Sequence, residues 1–123
     1  MKKPVHEIEH DWEIFAAGTA QEVRAKALSD VDGRAKIGVG LMELPAKCDT
    51  KPAHWHSLEE EHLYVLAGRA TLHLGPQTFA LRPGSYVCFP AGQAVTHYLE
   101  NGFAEPFRYL MIGERIAGDE VHR

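Results

Sequence analysis

Cysteine is scarce, with only Cys48 and Cys88 among 123 residues. They form neither a CxxC nor a zinc-type spacing, and two are too few for the disulfide framework of a small secreted domain, so a reducing, cytoplasmic setting is expected. Long apolar runs are also missing. Nothing approaches the roughly 20 apolar residues of a membrane-spanning helix. Pro4 to Glu13, behind the positive start Met1, Lys2, Lys3, lacks the apolar stretch of a signal peptide. No membrane partner is expected. Positive charge is in deficit, with 13 Lys and Arg against 17 Asp and Glu for a net charge of -4, so no field exists to collect phosphate backbones and no nucleic acid partner is expected. A Ser/His/Asp set, a phosphate-cradling glycine loop and a P-loop lysine are all absent, which disfavours nucleophilic and nucleotide chemistry.

What is present is an ordinary globular composition, 45% apolar and 24% charged, with a mean hydropathy of -0.27. The length suits one domain with one core. Charge is uneven: residues 1–34 carry five basic and seven acidic side chains, 35–99 five and five, and 100–123 three and five. Five of the eight histidines, His54, His56, His62, His73 and His97, fall in the neutral middle. Chemistry is expected there.

From Ile37 the chain breaks into short apolar runs: 37–44, 51–56, 61–66, 70–74, 78–81, 86–89, 94–100 and 107–112. Between them stand Pro45, Gly68, Gly75-Pro76-Gln77, Arg82-Pro83-Gly84, Pro90-Ala91-Gly92 and Asn101-Gly102. Strand-length runs at this pace predict an all-β sandwich or barrel. Gln21 to Leu28 has helix-forming residues, but Val23, Ala25 and Ala27 alternate with Arg24 and Lys26, which favours a half-exposed strand. Asp32-Gly33 reads as a turn into the strand at Ile37. The expected organisation is an N-terminal arm with edge strands over 1–34, a barrel over 35–116 and a tail over 117–123.

In a strand, residues two apart share a face, so His54 and His56 point the same way. Two imidazoles so placed make half of a metal site, and a carboxylate must come from elsewhere. Glu59, Glu60 and Glu61 follow, and Glu61 heads the alternating series Glu61, Leu63, Val65. His97 lies in another run and supplies a third imidazole if the barrel closes. Each feature alone has an ordinary explanation: a surface HxH pair, a solvated acidic turn, a capped histidine. Their combination is more specific.

On these residues the chain resembles the cupin superfamily. The first cupin motif runs glycine, five residues, HxH, three or four residues, glutamate, six residues, glycine; here His54, Trp55, His56, four residues, Glu61, six residues and Gly68 match it. The second runs glycine, five residues, PxG, two residues, histidine, three residues, asparagine. Here Gly84, five residues and Pro90-Ala91-Gly92 are followed by four residues rather than two before His97, then Asn101 at the expected distance. Cys48 replaces the opening glycine, and Ser85 stands where aspartate is common. Neither touches an expected ligand.

The resemblance implies an all-β, cupin-like double-stranded β-helix or jelly-roll barrel in a single domain, with His54, His56, Glu61 and His97 as ligands of one divalent metal ion, and Glu60 as the reserve carboxylate. Ligand type alone does not rank Zn, Mn, Fe and Ni. Six-coordination would leave two open positions for Lewis-acid chemistry or an acidified water, whereas tetrahedral geometry could close the site. The expectation is a metal-binding enzyme acting on a small organic molecule, of oxygenase, decarboxylase, isomerase or lyase type. The alternatives are a small-ligand-binding module without turnover and a barrel with a structural metal. A homodimer is expected by the same resemblance. No catalytic acid or base emerges beyond the candidates Glu60 and His73. Trp55 and His62 are expected to face away from the metal, Cys88 to be a buried small hydrophobe, and Cys48 to be accessible.

Overall fold

The computed structural model describes residues 3–29 and 35–123. The expected Asp32-Gly33 turn lies outside the described residues. The described chain is nearly all β, with antiparallel sheets and one 3-10 turn at Glu7–Glu9.

The strands are β1 (Glu13–Phe15), β2 (Val23–Ala27), β3 (Ile37–Leu44), β4 (Trp55–His56), β5 (Glu61–Ala67), β6 (Ala70–Leu74), β7 (Gln77–Leu81), β8 (Tyr86–Phe89), β9 (His97–Glu100), β10 (Phe107–Glu114) and β11 (Val121–His122). A six-stranded sheet runs β1-β2-β3-β10-β5-β8, a three-stranded sheet β7-β6-β9, and β11 pairs with β4. The alternating segment at Val23 is a strand, as its period of two predicts, and a further strand, β1, precedes it.

Alternation explains the core. On β5, Leu63 and Val65 are buried while Tyr64 and Leu66 are exposed, and β6 and β10 repeat the pattern with Leu72, Phe107 and Tyr109 inward. Asn101 is fully buried. Its side-chain amide donates to the carbonyls of Leu44 and Glu105 at 3.0 and 2.9 Å, and its Oδ1 accepts from the Phe103 N–H at 3.0 Å, so it ties the β9 exit to β3. Gly68 adopts φ +79°, and a Cβ there would meet the Pro106 carbonyl at 2.2 Å, so only glycine fits this β5–β6 turn.

The N-terminal arm covers the outer face of the large sheet. The Trp12 ring lies under the Lys26 ammonium at 4.7 Å and the Arg108 guanidinium at 5.4 Å, while Glu7 pairs with the buried Lys26. Two expected runs are shorter as strands: 51–56 contributes only Trp55–His56, and 94–100 only His97–Glu100. In the first, Pro52 lacks the N–H that a ladder needs. In the second, Gly92 at φ +74° turns the chain so that its N–H meets the His56 carbonyl at 2.9 Å.

Candidate metal centre

The described structure brings all four expected side chains to one end of the barrel interior. His54 and His97 form an isolated antiparallel bridge, with mutual N–H to carbonyl distances of 3.2 and 3.0 Å. This backbone exchange sets their ring centroids 4.7 Å apart. His56 follows two residues later, its ring centroid 5.4 Å from that of His54. Glu61 enters from the first position of β5, opposite Phe89 of β8 and Gly113 of β10. One ligand atom from each of His54, His56 and Glu61 lies within 4.8 Å of the other two. His97 Nε2 stands 4.0 Å from Glu61 Oε1, with the ring stacked on Phe89 at 3.9 Å.

The hydrogen bonds behind the rings set their tautomers. His54 Nδ1 is 3.3 Å from the Pro52 carbonyl, and His56 Nδ1 is 2.7 Å from Asp119 Oδ2. A carbonyl and a carboxylate only accept, so both Nδ1 atoms carry hydrogen and both Nε2 lone pairs are left for a Lewis acid. His56 Nε2 is 3.1 Å from Glu61 Oε1, yet that oxygen is buried and has no hydrogen-bond donor. A buried carboxylate oxygen without a donor is costly. A cation between it and the imidazole nitrogens would satisfy it, so the donor set fits the divalent ion that the sequence led us to expect.

The electrostatics agree. Burial, and then the charges on His54 and His56, push His97 down to about 4, so its imidazole is neutral near pH 7 and able to ligate. Burial raises Glu61, an effect only partly offset by His56 and His54. Burial opposes a charge on His56, but the Asp119 hydrogen bond and the charges of Glu61, Asp119 and Glu59 outweigh it and raise its pKa.

The candidates held in reserve lie elsewhere. Glu60 turns to the opposite face of β5, where its carboxylate meets His62 Nε2 at 2.6 Å and His62 Nδ1 meets the Tyr86 hydroxyl at 2.6 Å. His73 lies on another sheet, stacked on Tyr98 at 4.2 Å and bonded to Glu100 at 3.0 Å. Trp55 faces away from the three imidazoles and stacks on His122 at 4.4 Å, but it also lines the mouth of the barrel. Cys88 is not a fully buried filler: it is half-buried, opposite His62 across the β5–β8 ladder, because that position lies on the outer face. Cys48 is half-buried too, its Sγ 3.8 Å from the Thr19 carbonyl.

Sequence reasoning missed Asp119. Oδ2 holds His56, and Oδ1 accepts from the backbone N–H groups of Leu58 and Glu59 at 2.8 and 2.9 Å. Burial would raise this carboxyl, but the His56 and backbone hydrogen bonds bring it to about 2. Nothing local marks it: Asp119 lies 63 residues from His56 and arrives because β11 pairs with β4. The segment after residue 116 is therefore tied over the site, with the Ser57 N–H donating to the Glu120 carbonyl at 2.9 Å.

Two cavities meet at the cluster, and both are lined by Glu61, Phe89 and His97. The mouth cavity, about 350 Å³, adds Trp55, Glu59, Gln77, Gln93 and Val95. The two residues by which the second motif is lengthened belong to the 93–96 loop, which places Gln93 and Val95 on this wall. The inner cavity, about 240 Å³, adds Met42, Thr50, Leu63, Leu99, Tyr109 and Met111.

Comparison with known proteins agrees with this architecture. No curated protein sequence matches the chain. Among solved structures it is similar to a cupin-superfamily sugar phosphate isomerase from Silicibacter pomeroyi, with TM-score 0.89 and 21% identity over 98% of this chain and 80% of that one. The polyketide cyclase RemF from Streptomyces resistomycificus gives TM-score 0.82 and 26% identity over 98% and 84%. A predicted oxalate decarboxylase from Thermotoga maritima gives 0.78 and 21% over 93% and 100%. The Cupin domain family matches residues 40–113, well over half of the chain; with the double-sheet barrel and its inward histidines, this protein belongs to the cupin family.

Proposed function

We propose that this cupin is a metal-dependent enzyme acting on a small organic molecule in the barrel cavity, with His54, His56, Glu61 and His97 as the ligands of one divalent ion. The observation that carries this reading is the buried Glu61 Oε1, which has no donor and stands 3.1 Å from His56 Nε2 and 4.0 Å from His97 Nε2. Bound there, the ion would polarise a substrate oxygen or acidify a water. The protein's own groups do the rest. Asp119 holds the His56 ring in the ligating tautomer. Phe89 stacks on His97 and fixes its plane, and Met42, Leu63, Leu99 and Met111 give the inner wall an apolar surface. The fold relatives are described as an isomerase, a cyclase and a decarboxylase, so the reaction type is read from the site rather than from the fold.

The test is to strip the protein, titrate Mn(II), Fe(II), Ni(II) and Zn(II), and measure metal content, thermal stability and turnover of a carbonyl and diol panel. One bound ion with turnover is expected. Protein that binds no ion at stoichiometry overturns the reading, and one ion with a stability gain but no turnover reduces it to a binding module or structural site. A homodimer is part of the proposal, supported by β1, an edge strand among the described residues with Ile14 and Phe15 exposed; a cytoplasmic setting is proposed on the scarcity of cysteine alone.

A further inference from the structure

The charge of the walls separates substrate classes that the fold does not. Neither cavity has Lys or Arg among its described lining residues. Several basic side chains are engaged elsewhere: Arg24 and Arg108 pair with Glu43, Lys26 pairs with Glu7, Arg69 lies over Phe103 at 4.4 Å, and Lys51, next to Thr50, lies over Tyr98 at 5.4 Å. Lys47 donates to the Gly102 carbonyl. Carboxylates, by contrast, crowd the ion position. Glu61 and Glu59 line the mouth cavity, and Asp119 stands behind His56. Three carboxylates and no described Lys or Arg thus surround the ion position.

A phosphate or a dicarboxylate entering this site would find one partly neutralised ion and no guanidinium or ammonium to pair its remaining charge. Recognition of such anions rests on bidentate Arg or on Lys, and burying the unpaired remainder is unfavourable. An apolar molecule meets the opposite situation. Met42, Leu63, Leu99 and Met111 offer it hydrocarbon surface, and the only uncharged hydroxyls on that wall are Thr50 and Tyr109. Thr50 Oγ1 already accepts from the Leu99 N–H at 2.8 Å, and burial keeps the Tyr109 phenol protonated.

We propose that the substrate is an uncharged molecule without phosphate or a second carboxylate, whose small apolar body fills the inner cavity while an oxygen faces the metal. The inner cavity, about 240 Å³, lies below the roughly 300–1,000 Å³ of drug-sized sites and admits only a small body. The inference rests on the metal-dependent reading above for the oxygen end, and on the cavity walls alone for the carbon end.

The probes are 2-hydroxyacetophenone, its ring-sulfonated analogue and glucose 6-phosphate. Binding is measured by calorimetry and ligand-observed NMR on protein whose Zn(II) content has been determined first. The uncharged ketone is expected to bind at least tenfold more tightly than either anion. Met111→Trp, which fills the inner cavity, should weaken it at least tenfold with metal content unchanged, while Met111→Leu should not. Should Met111→Trp fail to fold, Met42→Phe serves the same purpose. Equal or tighter binding of either anion, or indifference to cavity filling, overturns the inference and leaves the metal site standing. Failure to load Zn(II) overturns the metal reading instead. The ranking is then taken on metal-free protein, where the ketone should still lead and a reversed order overturns the substrate class.

Discussion

The two faces of β5 carry nearly the same pair of groups. On the outer face Glu60 meets His62 at 2.6 Å, and on the inner face Glu61 meets His56 at 3.1 Å. The outer carboxylate is about half exposed, and its partner imidazole is bonded through both nitrogens. The inner carboxylate is largely covered and keeps an oxygen without a donor. Water screens the first pair, so it contributes little to stability. The second pair is desolvated and incomplete, and incompleteness in a low-dielectric site is a demand for another charge. Adjacent identical residues thus take opposite roles because a strand sends successive side chains to opposite faces.

The largest expected effect breaks the comparison outright. His56→Ala should abolish stoichiometric metal while far-UV circular dichroism keeps its β signature, and retained metal would reject His56 as a ligand. Glu61→Gln should weaken metal binding by more than about 100-fold, measured against a chromophoric chelator, since it alters a proposed direct ligand where outer partners already account for 10–100-fold. Glu60→Gln should change it less than about threefold. The reverse ranking would mean that the outer carboxylate is the ligand.

Acid should next probe the buried inner imidazole of His97. His97 has a folded pKa of about 4 against an ordinary 6.5. Its neutral form therefore supports the fold above pH 6.5, and that support is lost as pH falls through about 4. Relative to the His97→Gln variant, metal-free wild type should lose about 3 kcal/mol across this window in urea titrations. A pH-independent difference would reject the buried neutral imidazole.

Asp119→Asn should weaken metal binding by about 10–100-fold. Nitrogen-15 shifts of His56 should show the Nδ1–H form losing its dominance, which a purely structural loop role would not move. The smallest effect concerns metal-free stability. The raised pKa of Glu61 means that its charge costs stability above the folded pKa, a cost absent below the unfolded one. At pH 7 Glu61→Gln should therefore gain on the order of 1 kcal/mol without metal, whereas Glu60→Gln should gain nothing.

Much of the barrel was legible from residue order. The alternation of Glu61, Leu63 and Val65, the turn at Gly68 and the histidine spacings all express local rules of strand geometry. What those rules do not contain is contact across long separations. His54 lies outside any strand ladder and meets His97 through a two-residue bridge. The shortening of the 51–56 and 94–100 runs follows from a proline and a positive-φ glycine whose partners are distant. Trp55 obeys alternation and still reaches the barrel mouth, because the β11 pairing carries it to the rim.

The order of amino acids by itself determined the strand period, the inward series on β5 and the shared face of His54 and His56, since each depends on spacings of a few residues. Only the tertiary structure decided which of three consecutive glutamates is desolvated, that Asp119 stands behind His56, and that no described cation lines the cavities. Burial, hydrogen-bond partnership and net field are properties of groups brought together from distant parts of the chain, and no local spacing encodes them.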